Sequence, residues 1–185
     1  VLPTDTMKNT VYALACRVGV ESLEKFSQQL AEHFTRDVQQ VTAATIEAEE
    51  VIWKRMGMGG RPHDHAFTVG GSERHTCTAG AADGQQSTMR CGLRGLQVLK
   101  TTGSAFAEFF RDEYTSLAET DDRIFATTVE ATWPCADLSA DWTAHRKTIR
   151  AALVDVFANQ FSKSVQHTLY EMARTAFEAC EAIDE

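Results

Sequence analysis

The sequence predicts an α+β fold: an antiparallel sheet with helices packed on one face. Three observations carry this. Apolar residues recur at helical spacing near both ends, as Leu23, Phe26, Leu30 and Phe34, and as Val165, Leu169, Met172 and Ala176. Between them the period changes to two, and β-branched residues dominate. Four strand-like runs then follow with no long helical crossover of the kind parallel pairing needs, so neighbouring strands run antiparallel.

In order, Val1-Leu2-Pro3 reads as the end of an extended segment. Thr4, Asp5 and Thr6 are potential N-caps for a helix from about Met7 to Cys16. A second helix follows Gly19. A long strand spans Val38 to Lys54, with Ile46, Ala48, Glu50 and Ile52 on one face and Thr45, Glu47, Glu49, Val51 and Trp53 on the wetter one. The loop Gly57-Met58-Gly59-Gly60 leads to a strand from about Ala66 to Ala79, in which Gly70-Gly71 reads as a bulge or a turn between strand halves. Gly80 to Gly84 is a turn, and a third strand runs from about Ser87 to Lys100. A helical insert with Phe106, Phe109 and Phe110 precedes the fourth strand, Arg123 to Trp133, which Pro134 ends. Helices from about Ala140 to Phe157 and Ser164 to Ala179 follow.

The 185 residues suffice for one sizeable core or two small ones, and 43% apolar residues suit a globular chain. No run approaches the roughly 20 apolar residues of a membrane span, and the start does not read as a signal peptide. A net charge of −8 argues against binding a phosphate backbone. Five scattered cysteines without a CxxC read as reduced thiols in a cytosolic-type compartment.

The stretch from Leu96 to Arg123 carries the functional signal. It sets an aromatic plate drawn from Phe106, Phe109 and Phe110 beside a fixed cation, Arg123. A planar anion needs that pair, a ring to stack on and a fork of parallel N–H donors. The bland reading is core phenylalanines and a surface ion pair of Arg123 with Asp121 and Asp122, worth about 0–1 kcal/mol.

Leu96, Val98, Leu99, Lys100, Thr101, Thr102, Ser104, Phe106, Phe109, Tyr114, Leu117 and Arg123 fall at one family's spacing. The stretch resembles the signature of the urate oxidase (uricase) family. The likeness extends to Thr4-Asp5 with Lys8-Asn9-Thr10, to Pro62 through Phe67, and to Ser164-Val165-Gln166 before Thr168 to Met172.

The resemblance implies tandem tunnelling-fold halves, residues 1–84 and 85–185, each lacking one hairpin, and so a portion of a longer polypeptide. It implies that Arg123 and Gln166 grip the purine edge, that Phe106 stacks on it, and that Leu117 and Val165 line the pocket. Thr4 is implied as the catalytic proton relay, and Asp5 as a backbone donor to the far edge of the ligand. The implied reaction oxidises urate with O₂ and water to 5-hydroxyisourate and hydrogen peroxide, using no cofactor and no metal. The implied assembly is a homotetramer with active sites at subunit interfaces, binding neither nucleic acid nor membrane. It would be cytoplasmic in a bacterium and peroxisomal in a eukaryote. The family's catalytic lysine, asparagine and histidine match no residue here. The alternative is therefore a catalytically incomplete fragment that binds a purine or serves assembly. A pterin-acting enzyme of this fold would anchor its ring with a carboxylate, and the clamp here is Arg plus Gln.

Other signals are weaker. His63 and His65 supply too few ligands for zinc. His33, His75, His145 and His167 read as solvated or satisfied, and Glu49-Glu50 and Asp121-Asp122 as solvated pairs. For Thr4 and Asp5 helix capping is the plainer role.

Overall fold

The computed structural model describes residues 1–183; Asp184 and Glu185, the end of the implied second half, lie outside the described residues. Its elements are α1 (Thr4–Val18), α2 (Leu23–Asp37), β1 (Ala43–Met58), β2 (Arg61–Ala82), β3 (Thr88–Lys100), β4 (Phe125–Pro134), α3 (Trp142–Asn159) and α4 (Val165–Ala179). The strands form one sheet in the order β1-β2-β3-β4, antiparallel throughout, as expected. One face carries Cys77, Ala79, Met89, Cys91, Leu93, Val129 and Trp133 into the core beneath the helices. The other is polar, with Arg94 bonded to Glu49 at 2.6 Å.

Three helices start where a side chain satisfies a free N–H. Ser22, Asp141 and Ser164 accept from the backbone of Lys25, Ala144 and His167 at 3.1, 3.0 and 3.1 Å. The first helix corrects the capping expectation. Its N-cap is Pro3, with φ −65° and no side-chain cap, so Thr4, Asp5 and Thr6 already lie in the first turn. Proline's fixed φ starts the helix without a capping hydroxyl.

Two strand boundaries also differ. Residues 38–42 turn instead of pairing, with Val41 N–H on the Val38 carbonyl at 2.8 Å. Conversely, the glycine loop tightens to Gly59-Gly60, with φ of 58° and 81°. Only glycine takes two positive φ values in succession without strain, so the strands run on to the turn. Of the bulge and the turn that Gly70-Gly71 allowed, the structure has the bulge, where pairing shifts between Val51–Arg74 and Trp53–Val69.

A second bulge explains how Leu93 and Leu96, three residues apart, both face the core. Strict alternation would point them to opposite faces. Gly95, at φ +70°, adds one residue between the pairs Leu93–Ala131 and Leu96–Val129. A Cβ there would sit 2.6 Å from the Ser72 carbonyl.

The helical insert is not a helix. Residues 101–124 form an irregular loop whose ends are tied by a bridge between Phe106 and Thr120. Glu108 takes φ 58°, which an α-helix excludes.

Cys77, Cys91 and Cys135 are buried free thiols, and the sulfurs of Cys91 and Cys135 lie 2.9 Å apart. Those neighbours and burial push the Cys91 thiol far up, which keeps it protonated and inert. Charged pairs tie α3 to the first strands and to α2. Arg146, buried, pairs with buried Glu24 and lies 3.7 Å from Glu50, while Arg150 grips Glu73 with two bonds of 2.7 and 2.8 Å.

Candidate active site

The loop between β3 and β4 closes at a narrow neck. Phe106 and Thr120 exchange backbone hydrogen bonds of 2.9 and 3.0 Å, and Arg123 N–H donates to the Ser104 carbonyl at 2.7 Å. These bonds bring the Arg123 guanidinium carbon 5.1 Å from the centre of the Phe106 ring, in cation–π range. Phe109 stacks on Phe106, with centroids 4.7 Å apart and planes 20° apart. Phe110 and Leu117 stay largely exposed, at 86% and 55%. Arg111 spans the loop to the Leu117 carbonyl at 2.8 Å.

The Arg123 side chain is unquenched. Its Nε is buried without a hydrogen-bond partner, and among the described residues no carboxylate lies within ion-pair distance. Asp122, the adjacent acid, is engaged elsewhere. Its Oδ2 accepts from the Thr102 hydroxyl at 2.5 Å and its Oδ1 from Ser104 N–H at 3.2 Å. The Thr102 bond, followed by backbone donors at Ser104, Gly103 and Arg123, holds the Asp122 carboxyl below its ordinary pKa.

The same neck is laced to the start of α4. Ala105 N–H donates to the Ser162 carbonyl at 2.8 Å, and Ser162 N–H to the Gly103 carbonyl at 2.9 Å. Ser104 and Ser162 are fully buried, and the Ser162 hydroxyl lies 2.6 Å from that of Thr168. Two residues beyond Ser162 the helix begins at its Ser164 cap, followed by Val165 and Gln166. The first helical bond runs from Thr168 N–H to the Ser164 carbonyl, so the N–H groups of Val165 and Gln166 have no helical acceptor. Both residues face solvent, with Val165 37% exposed. Lys100 is half-buried, where burial lowers its pKa, and its ammonium donates to the Gln160 carbonyl at 2.8 Å.

Thr4 and Asp5 lie elsewhere. They open α1, which rests on α2. Met7 N–H to the Pro3 carbonyl is the first bond of α1, so the N–H groups of Thr4 and Asp5 are free donors. The Asp5 carboxylate accepts from Asn9 at 2.9 Å. Among the described residues no hydrogen bond or ion pair joins Thr4 or Asp5 to Phe106, Arg123 or Gln166.

Within one chain, then, Phe106, Arg123, Val165 and Gln166 share one backbone-laced neighbourhood, while Thr4 and Asp5 stand apart from it. The acid pairs are not merely solvated: Asp122 closes the neck, and Glu49 and Glu50 bond Arg94 and His75. Among the described residues no cluster of three metal-ligating side chains occurs. His63 instead accepts from His65 N–H at 3.1 Å.

Comparison with known proteins gives the family and the fold. Residues 1–80 and 89–185 match the family model for uricase. The chain belongs to the uricase family. It is 41% identical over 185 residues to the uricase of Arthrobacter globiformis, covering all of this chain and 59% of that one. Danio rerio uricase is 36% identical over 176 residues and Canavalia lineata uricase-2 isozyme 1 is 40% identical over 190, covered to 59% and 61%. The chain thus spans about 60% of the length of the curated relatives it matches. The crystal structure of the A. globiformis uricase superposes with a TM-score of 0.90, over all of this chain and 62% of that chain. Urate oxidase from Bacillus sp. TB-90, 23% identical, superposes at 0.88 over 99% of this chain and 65% of its own, a likeness of fold. The fold is the tunnelling fold of the uricases.

Proposed function

We propose that the protein carrying this chain oxidises urate, passing two electrons to O₂ and adding water to give 5-hydroxyisourate and hydrogen peroxide. The observation that carries this reading is the Arg123 guanidinium over Phe106, unpaired by any carboxylate among the described residues, beside the open first turn of α4. Urate is a flat anion rich in carbonyl oxygens. Phe106 stacks under its rings, Arg123 gives paired N–H donors to one edge, and the Gln166 amide supplies both a donor and an acceptor. Leu117 and Val165 line the apolar rim, and Val165 N–H is a further donor to the anion.

Thr4 serves as the proton relay, its hydroxyl able both to donate and to accept, and Asp5 offers its free backbone N–H to the opposite edge of the ring. The separation of Thr4 and Asp5 from the clamp supports a second copy of the chain as their source, with sites at subunit interfaces; the assembly we propose is a homotetramer. Among the described residues no helix is long and apolar enough to cross a membrane. We place the protein in the cytoplasm of a bacterium or the peroxisome of a eukaryote.

The test is urate in air with the purified protein carrying residues 1–185. Loss of urate absorbance with equimolar peroxide supports the reading. Binding of urate without turnover marks the incomplete, purine-binding alternative, and absence of binding sinks both. Arg123→Ala should weaken urate binding roughly a hundredfold, since charged hydrogen bonds are lost. Unchanged binding by that variant would remove Arg123 from the clamp.

A further inference from the structure

A side chain that bonds to nothing is placed by its backbone. Arg123 is such a case. Its Nε has no partner, and no carboxylate among the described residues fixes its guanidinium. Where it stands over Phe106 therefore depends on the backbone of residues 122–124 relative to that of residues 104–106.

That relation is held by the backbone bonds of the neck and, across them, by one carboxylate. Asp122 reaches back across the neck and bonds the Thr102 hydroxyl at 2.5 Å and Ser104 N–H at 3.2 Å, while Arg123 N–H meets the Ser104 carbonyl at 2.7 Å. The Asp122 carbonyl accepts from the Thr120 hydroxyl at 3.1 Å, and Thr120 is the bridge partner of Phe106. A path of consecutive short bonds thus runs from the arginine to the ring. Ser104 anchors it in the interior, being fully buried and bridged to Ser162 at the approach to α4. The same arrangement solves an electrostatic problem. An aspartate next to the clamp arginine would ordinarily pair with it and compete with an anionic ligand. With its oxygens on Thr102 and Ser104, Asp122 leaves the guanidinium open.

We propose that Asp122 is a positioning residue: by bonding Thr102 and Ser104 it sets Arg123 over Phe106 and keeps its own charge off the guanidinium. The inference rests on the reading of Phe106 and Arg123 as the urate clamp. It extends that reading to a residue that contacts no ligand.

Asp121 supplies the control, since it carries the same charge one position away and is exposed, with no hydrogen bond or ion pair to any described residue. The experiment measures the urate Kd without O₂, and KM and kcat in air, on the purified protein carrying this chain. Asp122→Asn should raise Kd and KM about tenfold and change kcat less than threefold, the pattern of lost uniform binding. Thr102→Val, which removes one bond and no charge, should raise Kd in the same direction by about threefold. Asp121→Asn should leave Kd at the native value. A purely structural role would lower the thermal midpoint and leave the Kd of the folded protein native. Native Kd in both Asp122→Asn and Thr102→Val would overturn the inference while leaving the clamp intact. So would an equal effect of Asp121→Asn, which would make the role one of charge alone. If Asp122→Asn does not fold, Thr102→Val decides alone. No urate binding by the native protein would overturn the clamp, and this inference with it.

Discussion

The two ends of the sheet are held very differently. Around β3, β4, α3 and α4 a continuous core runs through Leu93, Phe125, Trp133, Trp142, Ile149, Leu153, Phe157 and Met172. Around α1, α2 and β1 the buried apolar cluster is Leu14, Leu30 and Phe34, with a small alanine patch beside it. Beyond Val51 the β1–β2 ribbon outruns its β3 neighbour and exposes Trp53, Phe67 and Val69. The proposed clamp residues Phe106, Arg123 and Gln166 sit on the well-held end. Thr4 and Asp5 sit on α1, whose buried residue is Leu14. A ligand grip needs fixed geometry, and the proposed one is tied by backbone bonds to the end of the sheet that carries the larger core. The candidate relay rides on a lightly docked helix, whose position depends on what else covers it.

The largest effect should come from breaking the charge pair that joins α2 to α3. Arg146→Met leaves Glu24 buried and unpaired, at a cost of about 4 kcal/mol in urea unfolding. Removing Glu24 as well, as Glu24→Leu with Arg146→Met, should recover a large part of that loss. If the single variant costs under about 1 kcal/mol, the pair is not a buried one.

The core contrast is next. Ile149→Ala should cost about 3 kcal/mol and Leu14→Ala about 2, because the thinner cluster collapses more readily around a cavity. Equal losses, or the reverse order, would show that α1 is docked as firmly as α3.

Much of this organisation is legible in the residues. The helical stripe of α2, the alternation along β1 and the glycine bulge on β2 follow from side-chain period and φ preference. The neck is not. Phe106, Phe109 and Phe110 stand at helical spacing, so their periodicity mimics a helix. What decides the loop is a set of hydrogen bonds, from the backbone of Thr120 and Ser162 and the carboxylate of Asp122, between residues distant in sequence. Asp122 read as a solvated acid because an aspartate beside an arginine looks the same whether it faces water or closes a turn. The separate locations of Thr4 and Arg123 are likewise a property of topology.

A smaller effect tests the second tie between the ends, Arg150 to Glu73. The guanidinium bonds first, then its charge, hold the Glu73 carboxyl below its usual pKa, against the opposing effect of burial. A carboxylate depressed on folding contributes stability above its unfolded pKa of about 4.3, and that contribution is lost as pH falls through the lower folded value. The native protein should therefore lose stability as pH falls below about 5, with the decline partly flattened in Arg150→Met. At neutral pH that substitution should cost under about 1 kcal/mol, since the Arg150 side chain is 40% exposed. An unchanged acid slope would assign the decline to other carboxylates.

The smallest stability effect belongs to Thr4, and there the comparison between the ends is sharpest. Pro3 occupies the cap position and the Thr4 hydroxyl bonds nothing among the described residues. Thr4→Val should therefore leave stability within about 0.5 kcal/mol, where loss of a true N-cap would cost about 1. Under the proposed reaction the same substitution should spare urate binding and lower turnover at least tenfold, since a valine cannot relay a proton. Normal turnover with unchanged stability would leave Thr4 an ordinary surface residue of α1. A stability loss near 1 kcal/mol with normal turnover would restore the capping role that the helix geometry contradicts. Lost turnover at full stability would mean that a residue on the loosely packed end is exposed for chemistry, meeting a clamp that its own chain holds elsewhere.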